Sequence, residues 1–238
     1  MFQAVRKQSL SESVYRQLEE RIVRGQLEPG AELPAERALS EQLGVNRGAV
    51  REAIKRLQQA GLVAVRHGGN HTVQNYLEQG GLELLPSLLV NKQGRVNGPV
   101  VRSIMAMRSA LAPDIAAAAA RKPNAALAEE LDAIVARMRG QQADRKALQE
   151  LALNFWQKLV EHGGNIAFRL AFNSMTKTYR QAWDVLTPVL EKEFRDFDNL
   201  TALAAAVREG KPEAARSVGR AHVELGRSAV ERVLGEYS

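Results

Sequence analysis

A short basic stretch in the first third of the chain carries residues suited to binding a polyanion. Between Arg37 and His71 there are six basic side chains and two acidic ones. Arg47, Arg51 and Lys55 recur every four residues, which places them on one stripe of a helix. The planar fork of arginine matches the two acceptors of guanine in the major groove. The stretch therefore predicts DNA binding, with Arg47 and Arg51 at bases and Arg37 and Lys55 at phosphates.

Three helices are predicted around this stripe from the spacing of apolar residues. The first covers 11–24 and ends at Gly25, the second covers about 35–43 and ends at Gly44, and the third follows Asn46, a good N-cap. Helices two and three form a helix-turn-helix. The apolar residues that define the buried faces of helices one and three are Val14, Leu18, Ile22, Val50, Ile54 and Leu57.

Two short strands are predicted next, over 62–65 and 71–73, joined by a turn. After a helix-turn-helix, such a hairpin is the wing of a winged helix. His67 and Gly68 at its tip suit close approach to a minor groove, and Gly48 keeps the start of the third helix free of bulk. A basic stripe alone is more typical of a solvated helix face. Helix caps, stripe and wing in this order favour DNA binding.

The rest of the chain predicts a helical domain. We expect the DNA-binding domain over 1–74, a linker over 75–83 and an all-helical ligand-binding and dimerisation domain over 84–238. Helical periodicity continues there, with breaks at 97–99, 122–124, 163–165 and 210–212, and indicates six or seven helices. The predicted fold class is mainly α: an N-terminal winged helix-turn-helix followed by an all-α bundle.

Composition excludes several classes of function. The chain has 238 residues, a formal charge of +6 and no cysteine, which excludes disulfides, zinc fingers and thiol catalysis. The sequence lacks the G-x-S-x-G, Walker A and G-x-G-x-x-G motifs, so we expect no enzyme activity. No apolar stretch approaches the roughly 18 residues of a membrane span, which predicts a cytoplasmic protein.

Residues 9–74 resemble the winged-helix domain of the GntR family of bacterial transcription regulators. The strings that carry the resemblance are GQLEPGAELPAERALSEQLGVNRGAVREAIKRLQQAGLV and RHGGNHTV. The resemblance implies a homodimer that binds a palindromic operator. The residues that we expect to contact DNA are Arg37, Asn46, Arg47, Gly48, Arg51, Lys55, His67 and Gly68.

The second domain resembles the all-helical effector domain of the FadR subfamily. One branch of that subfamily binds a metal through an aspartate and three histidines, but Ala152, Trp156 and Leu200 occupy three of those places and His222 alone remains. Since this domain contains two histidines and no cysteine, a three-histidine metal centre is excluded. The resemblance therefore implies no metal and no cofactor.

The resemblance favours the fatty-acid-regulator branch, whose effector is long-chain acyl-CoA. Matching strings are Met107-Arg108-Ser109, Gly164-Asn165 and the run from Leu170 to Met175 that leads to Tyr179, whereas His222 and Gly226 depart from the pattern. The effector is thus predicted to be acyl-CoA or another small organic anion. The candidate pocket residues are Arg108, Trp156, Asn173, Tyr179 and His222.

Each pocket candidate has a structural alternative. Arg108 on an apolar helix binds either a ligand anion or an internal carboxylate. His222 is more typical of a hydrogen-bonded core histidine than of a lone ligand. The leading hypothesis is a ligand-responsive transcriptional regulator. The alternative is an architectural or constitutive DNA-binding repressor whose helical domain only dimerises.

Overall fold

The computed structural model describes residues 10–65, 70–90, 95–181 and 183–236. The chain divides into two compact units, 1–96 and 97–238. The first unit combines helices with a three-stranded sheet, and the described part of the second is built from helices. The predicted fold class, a small mixed domain followed by an all-α bundle, is confirmed.

Three helices form the core of the first unit: α1 (Leu10–Val23), α2 (Glu36–Leu43) and α3 (Arg47–Gln59). Helix α3 packs between the other two. The predicted apolar faces of α1 and α3 are confirmed, because every residue assigned to them is buried in one core. Burial of these faces fixes which side of α3 is left to solvent.

A small antiparallel sheet closes this core. Its strands are β1 (Glu32–Leu33), β2 (Val63–Val65) and β3 (His71–Val73), in the order β1-β3-β2. Val63 lies opposite Val73 in the β2–β3 pair, so the predicted hairpin is confirmed. Strand β1 was not predicted because two residues are too few to show a period.

The first unit extends further along the chain than the predicted boundary at residue 74. It continues through α4 (Tyr76–Gln79), a single 3-10 turn and α5 (Leu85–Leu88). Leu84 is buried in the core of this unit, and Tyr76 and Leu88 pack against that core. The division falls after residue 96, which differs from the predicted linker over 75–83 and the predicted domain start at 84.

The second unit contains eight helices within its described residues, against six or seven predicted. The difference lies in the short helices α10 and α11, of seven and four residues. The four predicted breaks are confirmed. The helices are α6 (Gly98–Ala120), α7 (Ala125–Gly140), α8 (Arg145–Gly163), α9 (Ile166–Gln181), α10 (Trp183–Val189), α11 (Glu191–Phe194), α12 (Phe197–Glu209) and α13 (Pro212–Glu236).

The two longest helices, α6 and α13, run antiparallel along each other. The first turn of α6 meets the last turns of α13, since Arg102 pairs with Glu231 at 3.0 Å. Farther along, Gly219 lies against Ala116, and a Cβ at position 219 would come within 3.1 Å of the alanine Cβ. Small residues therefore bring these two helices close together. Within the described ranges no helix is long and apolar enough to cross a bilayer.

We expect Leu57→Ala to destabilise the first unit by about 2 to 5 kcal/mol, because Leu57 is fully buried and truncation leaves a cavity. The matched control is Leu77→Ala, whose side chain is 80% exposed and should change stability by less than about 0.5 kcal/mol. Hydrogen exchange of the α1 and α3 amides measures the opening free energy of this unit separately from the bundle. Equal effects of the two substitutions would contradict this assignment of the core.

Candidate functional site

The local sequence starts α3 at a defined residue. Gly44, with φ of 64°, ends α2 in the left-handed conformation, and its N–H donates to the Ser40 carbonyl. Asn46 is extended, and its side-chain oxygen accepts from the Ala49 N–H at 2.8 Å. The predicted N-cap is thus confirmed. The cap defines the residue at which α3 begins, and the buried apolar face defines the direction of its basic side chains.

The basic side chains of α3 lie on the face opposite the core. Arg47, Arg51 and Lys55, here called the recognition stripe, are all exposed, and Gly48 beside them is exposed as well. Arg37 on α2 is also exposed. Asn46 is exposed too, so the structure brings six of the eight predicted DNA-contacting residues to the surface of the helix-turn-helix. His67 and Gly68, at the predicted wing tip, lie outside the described residues.

Carboxylates neutralise part of the recognition stripe. Arg51 donates to Glu36 of α2, with 2.9 Å between Nη2 and Oε2, and this hydrogen bond raises the pKa of Arg51 and lowers the pKa of Glu36. Lys55 donates to Glu52 at 2.9 Å. For Arg47, no ion pair is found among the described residues. Such exposed pairs are weak, so a phosphate or a base edge can replace the carboxylates.

Arg56, counted in the basic stretch, has a structural role. Its guanidinium donates to Glu12 of α1 at 2.6 Å and lies 4.2 Å from the centre of the Tyr15 ring. Hydrogen bonds from Arg16 and Arg56 hold the pKa of Glu12 below its ordinary value. Arg56 therefore links α3 to α1 and does not belong to the recognition stripe.

A group of buried polar residues occupies the helical unit. Arg108 of α6 donates two hydrogen bonds to Glu193 of α11, one of them 2.7 Å from Nη1 to Oε2 and the other to Oε1. The Glu193 side chain is 2% exposed. Burial alone would lower the pKa of Arg108, but the Glu193 carboxylate outweighs it and raises that pKa. Of the two predicted roles for Arg108, the structure contains the internal pair.

His222 of α13 lies between two carboxylates. Its Nδ1 is 2.9 Å from Asp196 Oδ2, and its Nε2 is 3.7 Å from Glu193 Oε1. Burial would raise the pKa of Asp196, but hydrogen bonds from His222 and Asn199 hold it below its ordinary value. The His222 side chain is 1% exposed. His222 is therefore a hydrogen-bonded core histidine, the role that the sequence analysis favoured over that of a lone ligand.

Two aromatic residues complete this group. The Trp156 ring centre lies 6.0 Å from that of His222, and its buried Nε1 has no acceptor among the described residues. Tyr179 of α9 interacts with the charges of Arg108 and Glu193, and burial raises the pKa of its hydroxyl. The buried polar cluster, as we name it, comprises three buried residues, Trp156, Glu193 and His222, and three partly buried ones, Arg108, Tyr179 and Asp196.

Asn173, predicted to line the effector pocket, lies outside the cluster. It is exposed on α9. Its neighbour Phe172 faces a different space, a cavity of about 390 Å³ between α7, α8 and α9 that none of the cluster residues lines. Arg137 and Arg180 also line this cavity. One face of α9 thus lines the cavity, while Tyr179 of the same helix belongs to the cluster.

Sequence reasoning missed the two acids of the cluster. Glu193 and Asp196 lie in an acid-rich segment, LEKEFRDFDN, that resembles a solvated surface. The signal that Arg108 needs a partner was present, but Glu193 is 85 residues away in the chain. Two of the residues that occupy the metal-ligand places of the resembled branch are Leu200, which is fully buried, and Trp156, which lies beside His222.

The comparisons with known proteins cover both units. Residues 10–73 match the family described as bacterial regulatory proteins, gntR family, and residues 103–225 match the FCD domain. The HTH-type transcriptional regulator Mce2R of Mycobacterium tuberculosis is 36% identical over 98% of this chain and 96% of its own length. The fatty acid metabolism regulator protein of Edwardsiella ictaluri is 31% identical over 67% of this chain and 65% of its own.

A solved structure shows the same fold. Lar, which controls the expression of the Listeria monocytogenes agr system, aligns with a TM-score of 0.60. The alignment covers 98% of this chain and 99% of Lar at 18% sequence identity. At that identity the likeness concerns the fold.

We expect Gly226→Ala to destabilise the helical unit by about 1 to 3 kcal/mol through overpacking. A Cβ at this position would overlap the Glu193 carboxylate and lie 2.9 Å from Leu190 Cδ2. Gly235→Ala on the same helix is the control, since nothing lies within 4 Å of its Cβ and alanine favours helix. Urea unfolding followed by tryptophan fluorescence measures both, and a neutral Gly226→Ala would show that this contact is absent.

Proposed function

The chain belongs to the gntR family of bacterial regulatory proteins and is a ligand-responsive, sequence-specific DNA-binding transcriptional regulator, and we propose that it binds a palindromic operator as a homodimer through α3. The observation that carries this proposal is the recognition stripe of Arg47, Arg51 and Lys55, exposed opposite a buried face. A 13-residue helix is about 20 Å long, which suits a major groove roughly 12 Å wide.

The positions of the cations on α2 and α3 suit them to different contacts with DNA. Arg47 lies in the first turn, beside Gly48, where a helix approaches the groove floor. Arg51 follows one turn later, and Glu36 holds its guanidinium at the surface. We assign base contacts to these two arginines. We assign phosphate contacts to Lys55, whose single ammonium neutralises charge without reading sequence, and to Arg37, which lies on α2 and not on the recognition helix. His67 and Gly68 of the wing are assigned to the neighbouring minor groove.

The helical unit is the proposed sensor. Its buried polar cluster contains a cation, Arg108, and an N–H donor, Trp156, that would both suit an anionic ligand. A similar protein is named a fatty acid metabolism regulator, which supports long-chain acyl-CoA as the first effector to test among small organic anions. The regulator acts by binding, and we assign it no catalytic activity.

A second candidate is a constitutive DNA-binding repressor whose helical unit only dimerises. The observation that favours it is the internal pairing of Arg108, which Glu193 already satisfies. Ligand binding to the folded state raises Tm by an amount that grows with the logarithm of ligand concentration above Kd. A thermal-shift screen of acyl-CoA and free organic acids separates the two candidates, because a rise in Tm that grows with ligand concentration excludes a helical unit that only dimerises.

We expect Arg47→Ala and Arg51→Ala each to cost about 1 to 3 kcal/mol of operator binding and to relax preference at one base pair per half-site. Lys55→Ala should weaken operator and random duplexes by the same factor, since it loses a phosphate contact. The measurement is fluorescence anisotropy at one fixed salt concentration, on an operator selected from a random library by the wild-type protein. Equal losses on both duplexes for Arg47→Ala would contradict its role in base reading.

We expect native mass spectrometry to give a dimer, and long-chain acyl-CoA to change operator affinity at least fivefold. The first result follows from a palindromic site, because a two-fold operator is read by a two-fold protein. A monomer on a single half-site would overturn the dimer proposal. An unchanged affinity would exclude acyl-CoA and leave other small anions.

A further inference from the structure

The cation of the buried polar cluster already holds a carboxylate in the manner of a bound ligand. Arg108 donates two parallel hydrogen bonds to the Glu193 carboxylate, and His222 Nε2 lies 3.7 Å from Glu193 Oε1. Arginine recognises free carboxylates through this two-pronged geometry. Glu193 reaches the site from α11, a separate element, and not from α6 or its packing partner α13.

Two features of the surroundings indicate a ligand site. Trp156 is 94% buried, and its Nε1 donor has no acceptor among the described residues, although buried polar groups are normally paired. Gly226 leaves open the space in which the carboxylate lies, since any side chain there would overlap Glu193. The cluster thus contains a cation, a spare donor and a space beside Gly226 that a carboxylate already fills.

The element that carries Glu193 is short. Helix α11 has four residues, and α10 before it has seven with Pro188 inside. A single turn has few helical hydrogen bonds of its own. Moving Glu193 away from Arg108 therefore disturbs much less backbone than moving α6 or α13, which have 23 and 25 residues.

We propose that Glu193 is an internal occupant of the effector's anion site, and that an anionic group of the effector binds by displacing the Glu193 carboxylate from Arg108. The proposal rests on the proposed sensor function and assigns the place where the ligand's charge binds. Exchange of one anion for another keeps Arg108 paired, whereas a neutral group in the same place would leave this cation without a partner. The group of the effector that binds at Arg108 is therefore negatively charged.

The test is operator binding by full-length Glu193→Gln, which keeps the shape of the side chain and removes its charge. We expect at least a fivefold change in operator affinity without added ligand, because the variant releases α11 as the effector does. The matched control is Glu231→Gln, which breaks an exposed pair that also involves α6, between Arg102 of α6 and Glu231 of α13. The control should stay within twofold of wild type.

A second measurement reads the anion site without DNA. Glu193→Ala removes a CH₂–COO⁻ fragment that acetate can replace. We expect sodium acetate to raise the Tm of Glu193→Ala increasingly with concentration, because the anion gives Arg108 a partner again. The operator affinity of this variant should stay changed, as in Glu193→Gln, because free acetate does not connect Arg108 to α11. Sodium chloride at the same ionic strength and neutral acetamide should leave the Tm unchanged, and the Tm of Glu231→Ala should not respond to acetate.

The outcomes separate this inference from the proposed function. A Glu193→Gln variant within twofold of wild type, a Glu193→Ala variant that ignores acetate, or loss of folding in both would show that the pair is structural and overturn the proposal. A similar change in Glu231→Gln would overturn it too. Failure of the wild type to bind any selected duplex would instead refute the proposed DNA-binding role, while the acetate titration would still report on the anion site.

Discussion

A buried charge needs an opposite charge beside it, whereas an exposed charge is satisfied by water and remains available to an outside partner. This constraint separates the arginines with an internal partner from those that can bind an outside partner. Arg108 lies inside the helical unit and is tied to Glu193, while Arg47 and Arg51 lie on the surface of the first unit. The former suits a site that exchanges one anion for another, and the latter suit a polyanion that arrives from solvent.

The same constraint explains how each unit is built. In the first unit, apolar faces of α1 and α3 bury each other, so the cations of α3 point outward together, and the Asn46 cap defines where that helix begins. In the helical unit, small residues such as Gly219 bring α6 and α13 close. The same two helices contribute Arg108 and His222 to the buried polar cluster, and Gly226 of α13 lies against Glu193. Packing of the helices therefore positions the charged and polar side chains in both units.

Sequence reasoning succeeded where structure is local. The spacing of Val14, Leu18 and Ile22, the Asn46 cap and the breaks at 163–165 and 210–212 depend on neighbours within a few residues. It did not succeed where the partner is distant. The role of Glu193 depends on Arg108, which lies 85 residues earlier in the chain. The burial of Leu84 in the core of the first unit depends on tertiary packing, because the helices over 76–88 are too short to show a periodic pattern. Asn173 shares its helix with Tyr179 but lies on the other face, a difference that a matching string does not reveal.

The central claim is that α3 of a dimer lies in the major groove of a two-fold operator. Dimethyl sulfate footprinting tests it directly, because the reagent attacks guanine N7 in the major groove, the acceptor that Arg47 and Arg51 would cover. The account predicts two symmetric sets of protected guanines, with centres about one helical turn, or a multiple of it, apart. Guanines that stay fully reactive in a saturated complex, or a single unsymmetric footprint, would contradict it.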